Sequence, residues 1–205
     1  MQQELFTFDA LRVAVPDGLA FRAGLLSPTE EADARAHAAR LAFRPFEMRG
    51  FTAKREVAYF GHDYAYDARE VKPGPPFPEW LLALRERAAA FAGVLPAELV
   101  MASAIRYPPG AGIGWHRDKP AFGLVVGISL GGPARFQLRK GGPGGERLEL
   151  PLGPGDAYVL ARAARWDWQH HVPLVKTERY AITFRTMRGD GDVTPRRARA
   201  DRRAR

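Results

Sequence analysis

His116-Arg117-Asp118 sets an imidazole and a carboxylate two residues apart. On a strand, such residues project to the same side and can close on one metal ion. The pair alone is a weak signal, because most His-x-Asp pairs are surface turns or satisfied hydrogen bonds. A second supplier of imidazole lies downstream, in Trp166-Asp167-Trp168-Gln169-His170-His171-Val172. Three of the chain's five histidines fall in these two segments. Two imidazoles and one carboxylate occupy one face of an octahedron. That donor set suits a non-haem Fe(II) ion with positions left for a bidentate 2-oxo acid and dioxygen. His170 and His171 are neighbours and would point oppositely on a strand, so only one of them should serve. The default reading of His37 and His62 is surface or structural.

A third element bears on the same chemistry. Arg179-Tyr180-Ala181-Ile182-Thr183-Phe184-Arg185 alternates, with Tyr180, Ile182 and Phe184 on an apolar face and Arg179, Ala181, Thr183 and Arg185 on the other. By itself this is the pattern of a solvent-facing edge strand. Beside a metal site it acquires a second meaning, because a planar guanidinium grips a carboxylate through paired hydrogen bonds. A dicarboxylate co-substrate needs one such grip at its far end.

The elements that must position these groups follow from pattern. Ser27-Pro28-Thr29-Glu30 opens a helix with a capping serine, a proline at the first helical position and an acid placed for a capping box, and the helix should run to about Leu41. Phe51–Asp67 is aromatic-rich and reads as extended with turns. A second helix is expected from about Pro78 to Phe91, with Trp80, Leu81, Leu84 and Ala88 as its buried stripe. From Leu99, short apolar runs separated by Gly and Pro turns predict strands at 99–107, 122–130, 134–139, 146–152, 156–161, 166–172 and 178–186. Two helices followed by about seven strands give an α+β fold, a jelly roll with both helices packed on one face.

The 205 residues suffice for one domain with a sizeable core, and no internal repeat or linker divides residues 1–187. The absence of cysteine excludes disulfides, iron–sulfur clusters, thiolate zinc sites and a cysteine nucleophile, and fits a reducing, cytoplasmic compartment. No signal peptide or membrane span is expected. The net charge of +8 raises the prospect of a polyanionic partner. Half of it sits on residues 188–205, which carry seven arginines and three aspartates and read as a disordered basic tail or a phosphate-gripping arm.

Four motifs resemble, in order and with similar separations, those of the AlkB family of dioxygenases. They are Arg106-Tyr107-Pro108-Pro109-Gly110-Ala111 leading into His116-x-Asp118, then Ile128-Ser129-Leu130-Gly131, then His170-His171-Val172-Pro173, and last Arg179 to Arg185. The resemblance covers residues 55–187. It implies a double-stranded β-helix core with iron at its mouth, and Fe(II), 2-oxoglutarate and dioxygen as the groups used. It implies His116, Asp118 and His170 as iron ligands and catalytic residues, picking His170 over His171 from the motif. It implies that Arg179 and Tyr107 hold the far carboxylate of 2-oxoglutarate, with Arg185 near the iron-bound end and the aspartate. The implied reaction oxidises 2-oxoglutarate to succinate and carbon dioxide while hydroxylating a substrate C–H bond; on an N-methyl group the product sheds formaldehyde.

The substrate implied is an N-alkylated nucleobase in DNA or RNA, met by a monomeric protein with no membrane partner. Phe60, Tyr64 and Tyr66 lie where related proteins have a substrate lid and are candidates to stack on a base; packing against the second helix is their other reading. Trp115, Trp166 and Trp168 lie beside ligand segments as candidate walls. The chain departs from the nucleic-acid repair members at Ile105 and Ala181, where they have Asn, and at Lys119-Pro120, where they place an acid near the base. Pro120 in place of an acid favours one rival, the same chemistry on a protein side chain or small molecule. Two others are a non-catalytic nucleic-acid-binding module and a cupin-type metal protein; the full ligand set and the paired arginines argue against both.

Overall fold

The computed structural model describes residues 15–48, 50–65, 70–141 and 144–189. Strand β1 (Leu19–Arg22) precedes helix α1 (Pro28–Ala39), whose capping box forms as the sequence requires: the Ser27 hydroxyl accepts from the Glu30 amide and the Glu30 carboxylate accepts from the Ser27 amide. Strands β2 (Arg44–Met48), β3 (Phe51–Phe60), β4 (His62–Ala65) and β5 (Glu70–Pro73) follow, then helix α2 (Glu79–Ala92). Next come β6 (Leu99–Tyr107), β7 (Ile113–His116), β8 (Phe122–Gly131), β9 (Ala134–Lys140), β10 (Glu146–Leu152) and β11 (Ala157–Leu160). A short helix α3 (Arg162–Trp166), β12 (Gln169–Val172) and β13 (Arg179–Met187) complete the described chain.

The strands form a seven-stranded antiparallel sheet in the order β1-β11-β8-β13-β6-β3-β2, a four-stranded sheet β10-β9-β12-β7, and a small β4-β5 ribbon. The two larger sheets enclose one apolar layer that includes Phe136, Leu138, Leu150, Leu160 and Trp168. A second layer lies between the outer face of the large sheet and the two long helices, where Leu81, Leu84 and Ala88 of α2 and Ala34 and Ala38 of α1 meet Val126, Ile128, Ile182 and Phe184. This is a double-stranded β-helix with helices on one face. The helices are tied to each other by the Arg87–Glu30 ion pair and by His37, which stacks on Trp80 at 5.6 Å between ring centroids. His62 is likewise structural, its Nδ1 lying 3.0 Å from the Val100 carbonyl.

Two expectations need correction, and one alternative falls away. Strand β13 lies between β8 and β6 and is buried on both faces over most of its length, which removes the edge-strand alternative. Its arginine-bearing face therefore looks into the space between the sheets, not into solvent. The run 166–172 is a strand only from Gln169, because α3 ends at Trp166 and carries the chain over the end of the sheet first. Finally, β7 stops at His116, so Asp118 sits in the following loop. Same-side projection along a strand does not bring His116 and Asp118 together; the loop's return does.

One close approach shapes the interior. Gly127 and Tyr158 are cross-strand partners, and a Cβ at Gly127 would lie 2.2 Å from the Tyr158 ring. Glycine lets the ring lie flat against β8, where it stacks on Phe136 at 4.2 Å. Gly127→Ala is expected to cost about 1–3 kcal/mol in urea unfolding. The cost should shrink in a Tyr158→Leu background, which a double-mutant cycle measures.

Candidate metal centre and co-substrate pocket

His170 on β12 pairs across the ladder with His116 on β7, which sets the two imidazoles side by side, 4.1 Å between ring centroids. The loop after β7 returns Asp118 beneath them. Its Oδ1 lies 3.6 Å from His116 Nε2 and 3.5 Å from His170 Nε2. One ligand atom from each of the three residues falls within 4.8 Å of the others, the spacing at which all three can reach one ion. His116 Nδ1 lies 2.8 Å from the Gly114 carbonyl, so it carries the proton and donates, leaving the Nε2 lone pair for the centre.

His170 is 8% exposed and packs on Phe136. Burial, with His116 beside it, pushes its pKa down to about 4 despite Asp118. The ring is therefore neutral near pH 7, which is the form that can donate a lone pair. His171 faces the other way. Its Nδ1 lies 2.6 Å from the Ile113 carbonyl and its ring stacks on Trp115 at 4.9 Å.

Asp118 is oriented by β13. Arg185 Nε donates to Asp118 Oδ2 at 2.8 Å, which leaves Oδ1 for the histidine side. Burial alone would raise the Asp118 carboxyl, but Arg185 and the two histidines hold it well below the usual carboxylate range. Arg185 Nη1 also donates to Ser103 Oγ at 3.0 Å and Thr183 Oγ1 at 2.9 Å, which fixes the guanidinium in place. The loop after Asp118 is pinned by a residue that pattern reading missed. Arg165, 2% exposed, donates to the carbonyls of Lys119, Phe122 and Gly123 at 2.7–2.8 Å. Arg165→Met should strand those carbonyls and cost about 3 kcal/mol of stability. It should also weaken Mn(II) binding, since it frees the loop that carries Asp118; urea titration and calorimetry read the two effects.

Six residues along the same strand, Arg179 is buried to 2% exposure. Its Nη2 donates to Ser129 Oγ at 3.0 Å and its guanidinium lies over the Tyr107 ring at 5.0 Å. Arg179 Nε is buried with no hydrogen-bond partner, and among the described residues no acid pairs with the side chain. A buried cation with an open donor is costly, and the cost is met when an anion binds. Between the two arginines stand only Ala181 and Thr183, so the strand face leaves room for a bound molecule. All of these groups line one cavity of about 370 Å³, together with Ser129, Tyr158 and Ile105. The donor set and the unpartnered guanidinium fit a metal ion and a small dicarboxylate held in the same cavity.

Other sequence candidates separate here. Trp115 lines the cavity, whereas Trp168 is packed in the layer between the sheets. Trp166 carries the guanidinium groups of Arg165 and Arg188 over its ring. Phe60 does not face the cavity: it packs with the layer under the helices. The alternation of β3 puts Arg55, Val57 and Tyr59 on the cavity side instead, so the β3 aromatic that lines the cavity is Tyr59. The signal was present in the alternation of Thr52, Lys54 and Glu56 with Ala53 and Val57, which puts Tyr59 and not Phe60 on the inner face. Tyr66, the side chain of Tyr64 and the tail from residue 190 lie outside the described residues. Ser129 was visible only as part of a motif, because a lone serine in an apolar strand has no signature of its own.

A sequence model of the 2OG-Fe(II) oxygenase superfamily matches residues 23–188. Human alpha-ketoglutarate-dependent dioxygenase alkB homolog 3 is 28% identical over 157 residues, which cover 69% of this chain and 54% of that protein. The alkylated DNA repair protein ALKBH8 homolog of Arabidopsis thaliana is 26% identical over 152 residues, covering 62% of this chain and 44% of its own length. The chain thus spans about half the length of the curated relatives it matches. Among solved structures, that of OsALKBH1 superposes with a TM-score of 0.65 at 18% identity, over 85% of this chain and 99% of that one. A Pseudomonas putida prolyl-4-hydroxylase does so with a TM-score of 0.53 at 18% identity, over 84% and 94%. At such identities the superpositions speak to the fold, and the fold they share is the double-stranded β-helix. With the family match running from just after β1 to the end of β13, the chain belongs to the 2OG-Fe(II) oxygenase superfamily, and its likeness within it is to the AlkB type.

Proposed function

We propose that the chain is an Fe(II)- and 2-oxoglutarate-dependent dioxygenase that demethylates N-alkylated nucleobases in DNA or RNA. The observation that carries the reading is Arg179: a buried guanidinium without an acidic partner, in the cavity onto which His116, Asp118 and His170 converge. A metal site alone needs no such residue; a dicarboxylate co-substrate does.

In this reading His116, Asp118 and His170 hold iron. Arg179 takes the far carboxylate of 2-oxoglutarate, aided by the Tyr107 hydroxyl and the Arg179–Ser129 contact that fixes the guanidinium. Iron with 2-oxoglutarate and dioxygen supplies the oxidising power to hydroxylate a C–H bond. The protein's own contribution is placement. Arg185 and the Gly114 carbonyl orient the ligands, Arg165 holds the ligand loop closed, and the apolar wall of Val125, Phe136 and Leu152 keeps water from the reacting centre. The nucleobase reading draws on the AlkB-type likeness, the basic charge and the aromatic side chains of Tyr59 and Trp115 that line the cavity. Among the described residues no helix is long and apolar enough to cross a membrane.

The test is turnover with Fe(II), ascorbate and air, reading succinate from 2-oxoglutarate and formaldehyde from methylated oligonucleotides. Both products should rise together with the oligonucleotide. Succinate stimulated instead by a methylated peptide or small molecule, with none from oligonucleotides, would redirect the substrate and leave the chemistry in place.

A further inference from the structure

The donors nearest the metal site are largely used by the protein itself. Ser103 and Thr183 bond to each other, and Arg185 spends Nη1 on both of them and Nε on Asp118. Ala181 and Ile105, cross-strand partners in the row between Arg179 and Thr183, have no side-chain donor. Tyr158 has one. It lines the cavity at 9% exposure, and among the described residues its hydroxyl has no hydrogen-bond partner. Burial, with Asp118 adding to it, pushes the phenol above its ordinary pKa, so the hydroxyl keeps its proton and is a donor.

The register of the large sheet places that hydroxyl. Tyr158, Gly127, Thr183 and Ser103 are successive cross-strand partners on β11, β8, β13 and β6. On β13 this row is next to that of Arg185 and two rows from that of Arg179, and rows on one face lie about 7 Å apart. Gly127 leaves a gap in the row, and the Tyr158 ring fills it: a Cβ at Gly127 would lie 2.2 Å from Cζ and 2.5 Å from the hydroxyl oxygen. The tip of the ring therefore lies over β8, one strand from Thr183. The ring also stacks on Phe136, which stacks on His170. The hydroxyl is thus on the metal side of the cavity, whereas Arg179 and Tyr107 mark the other end.

2-Oxoglutarate is asymmetric. Its far end is a simple carboxylate; its other end is a 2-oxo acid, whose keto and carboxylate oxygens keep lone pairs even when they chelate a metal. Burying those oxygens without a donor is costly. Resting on the co-substrate reading above, we infer that the Tyr158 hydroxyl donates to the 2-oxo acid end of 2-oxoglutarate, which makes Tyr158 a positioning residue at the end that Arg179 and Tyr107 do not hold. The contact depends on glycine at 127, since a side chain there displaces the hydroxyl.

The experiment is an anaerobic titration of the Fe(II)-loaded protein with 2-oxoglutarate, read by the charge-transfer absorption of the chelate, in wild type, Tyr158→Phe and Tyr158→Leu. Phenylalanine keeps the ring over Gly127 and removes only the donor. Tyr158→Phe should raise the midpoint by about tenfold or more. Its band should move to shorter wavelength, because a hydrogen bond to the keto group lowers the orbital that accepts the electron. Thermal unfolding without co-substrate should not change in Tyr158→Phe, since the hydroxyl has no protein partner to lose. A wild-type midpoint and band in Tyr158→Phe, with weakening confined to Tyr158→Leu, overturns the inference and makes Tyr158 a packing residue. A raised midpoint with an unshifted band overturns it too, because the contact would then lie away from the chelating end. No band in wild type at saturating Fe(II) and 2-oxoglutarate removes the co-substrate reading, and the inference with it.

Discussion

Alanine at His170 is expected to abolish turnover and metal binding, while alanine at His171 should leave both within a few-fold of wild type. The two residues are adjacent and chemically identical, and the fold alone separates them. His170 turns inward, with Nε2 3.5 Å from Asp118 and its ring against that of His116. His171 turns outward, with its Nδ1 at the Ile113 carbonyl and its ring on Trp115. Removing His170 leaves one imidazole and one carboxylate, too few to hold Fe(II) against solvent, and turnover should fall by about 1,000-fold or more. Succinate formation and Mn(II) calorimetry on the paired variants measure this. Loss in His171→Ala with retention in His170→Ala would reverse the assignment.

The second large effect is at Arg179, and it carries two opposite signs. Arg179→Met keeps most of the volume and removes the charge. A charge-assisted contact in a buried site is worth about 3–4 kcal/mol, so the KM for 2-oxoglutarate should rise by about 100- to 1,000-fold. Stability of the protein without co-substrate should hold or increase, because a buried guanidinium with an unpartnered Nε is a cost in that state. Thermal unfolding with and without 2-oxoglutarate separates the two: wild type should show a co-substrate-dependent rise, and the variant none. A variant that loses stability while keeping its 2-oxoglutarate KM would mean that Arg179 is a structural cation.

Much of this architecture could be read from residue pattern because the local signals agree with the global fold. The capping box at Ser27, the stripe of α2 and the strands 99–107, 146–152 and 178–186 are local patterns, and each lies within a residue or two of its observed element. The residues that converge on the site were legible as types, since an imidazole pair, an acid and two arginines have few joint uses. What was not legible depends on where the chain turns. Asp118 reaches His116 through a loop rather than along a strand. Arg165 matters only because α3 lays it under the 119–123 backbone, and nothing in Ala163-Ala164-Arg165-Trp166 announces that. For β13 the alternation alone allowed an edge strand as well, because the same pattern arises when the polar face lines an internal cavity; the metal motif beside it decided between them. Phe60 and Tyr59 are neighbours, one on each face of β3; the polar run Thr52, Lys54 and Glu56 shares the Phe60 face, and that alternation favours Tyr59 for the cavity side.

The most direct test of the central claim is anaerobic: apo-protein mixed with one equivalent of Fe(II) and then titrated with 2-oxoglutarate, following the visible charge-transfer absorption of a 2-oxo acid chelated to Fe(II). The account predicts a band that saturates at one co-substrate per chain, is absent in His116→Ala, and in Arg179→Met needs far more 2-oxoglutarate to appear. A wild-type protein that shows no band at saturating Fe(II) and 2-oxoglutarate, or a His116→Ala variant that shows the wild-type band, would contradict it.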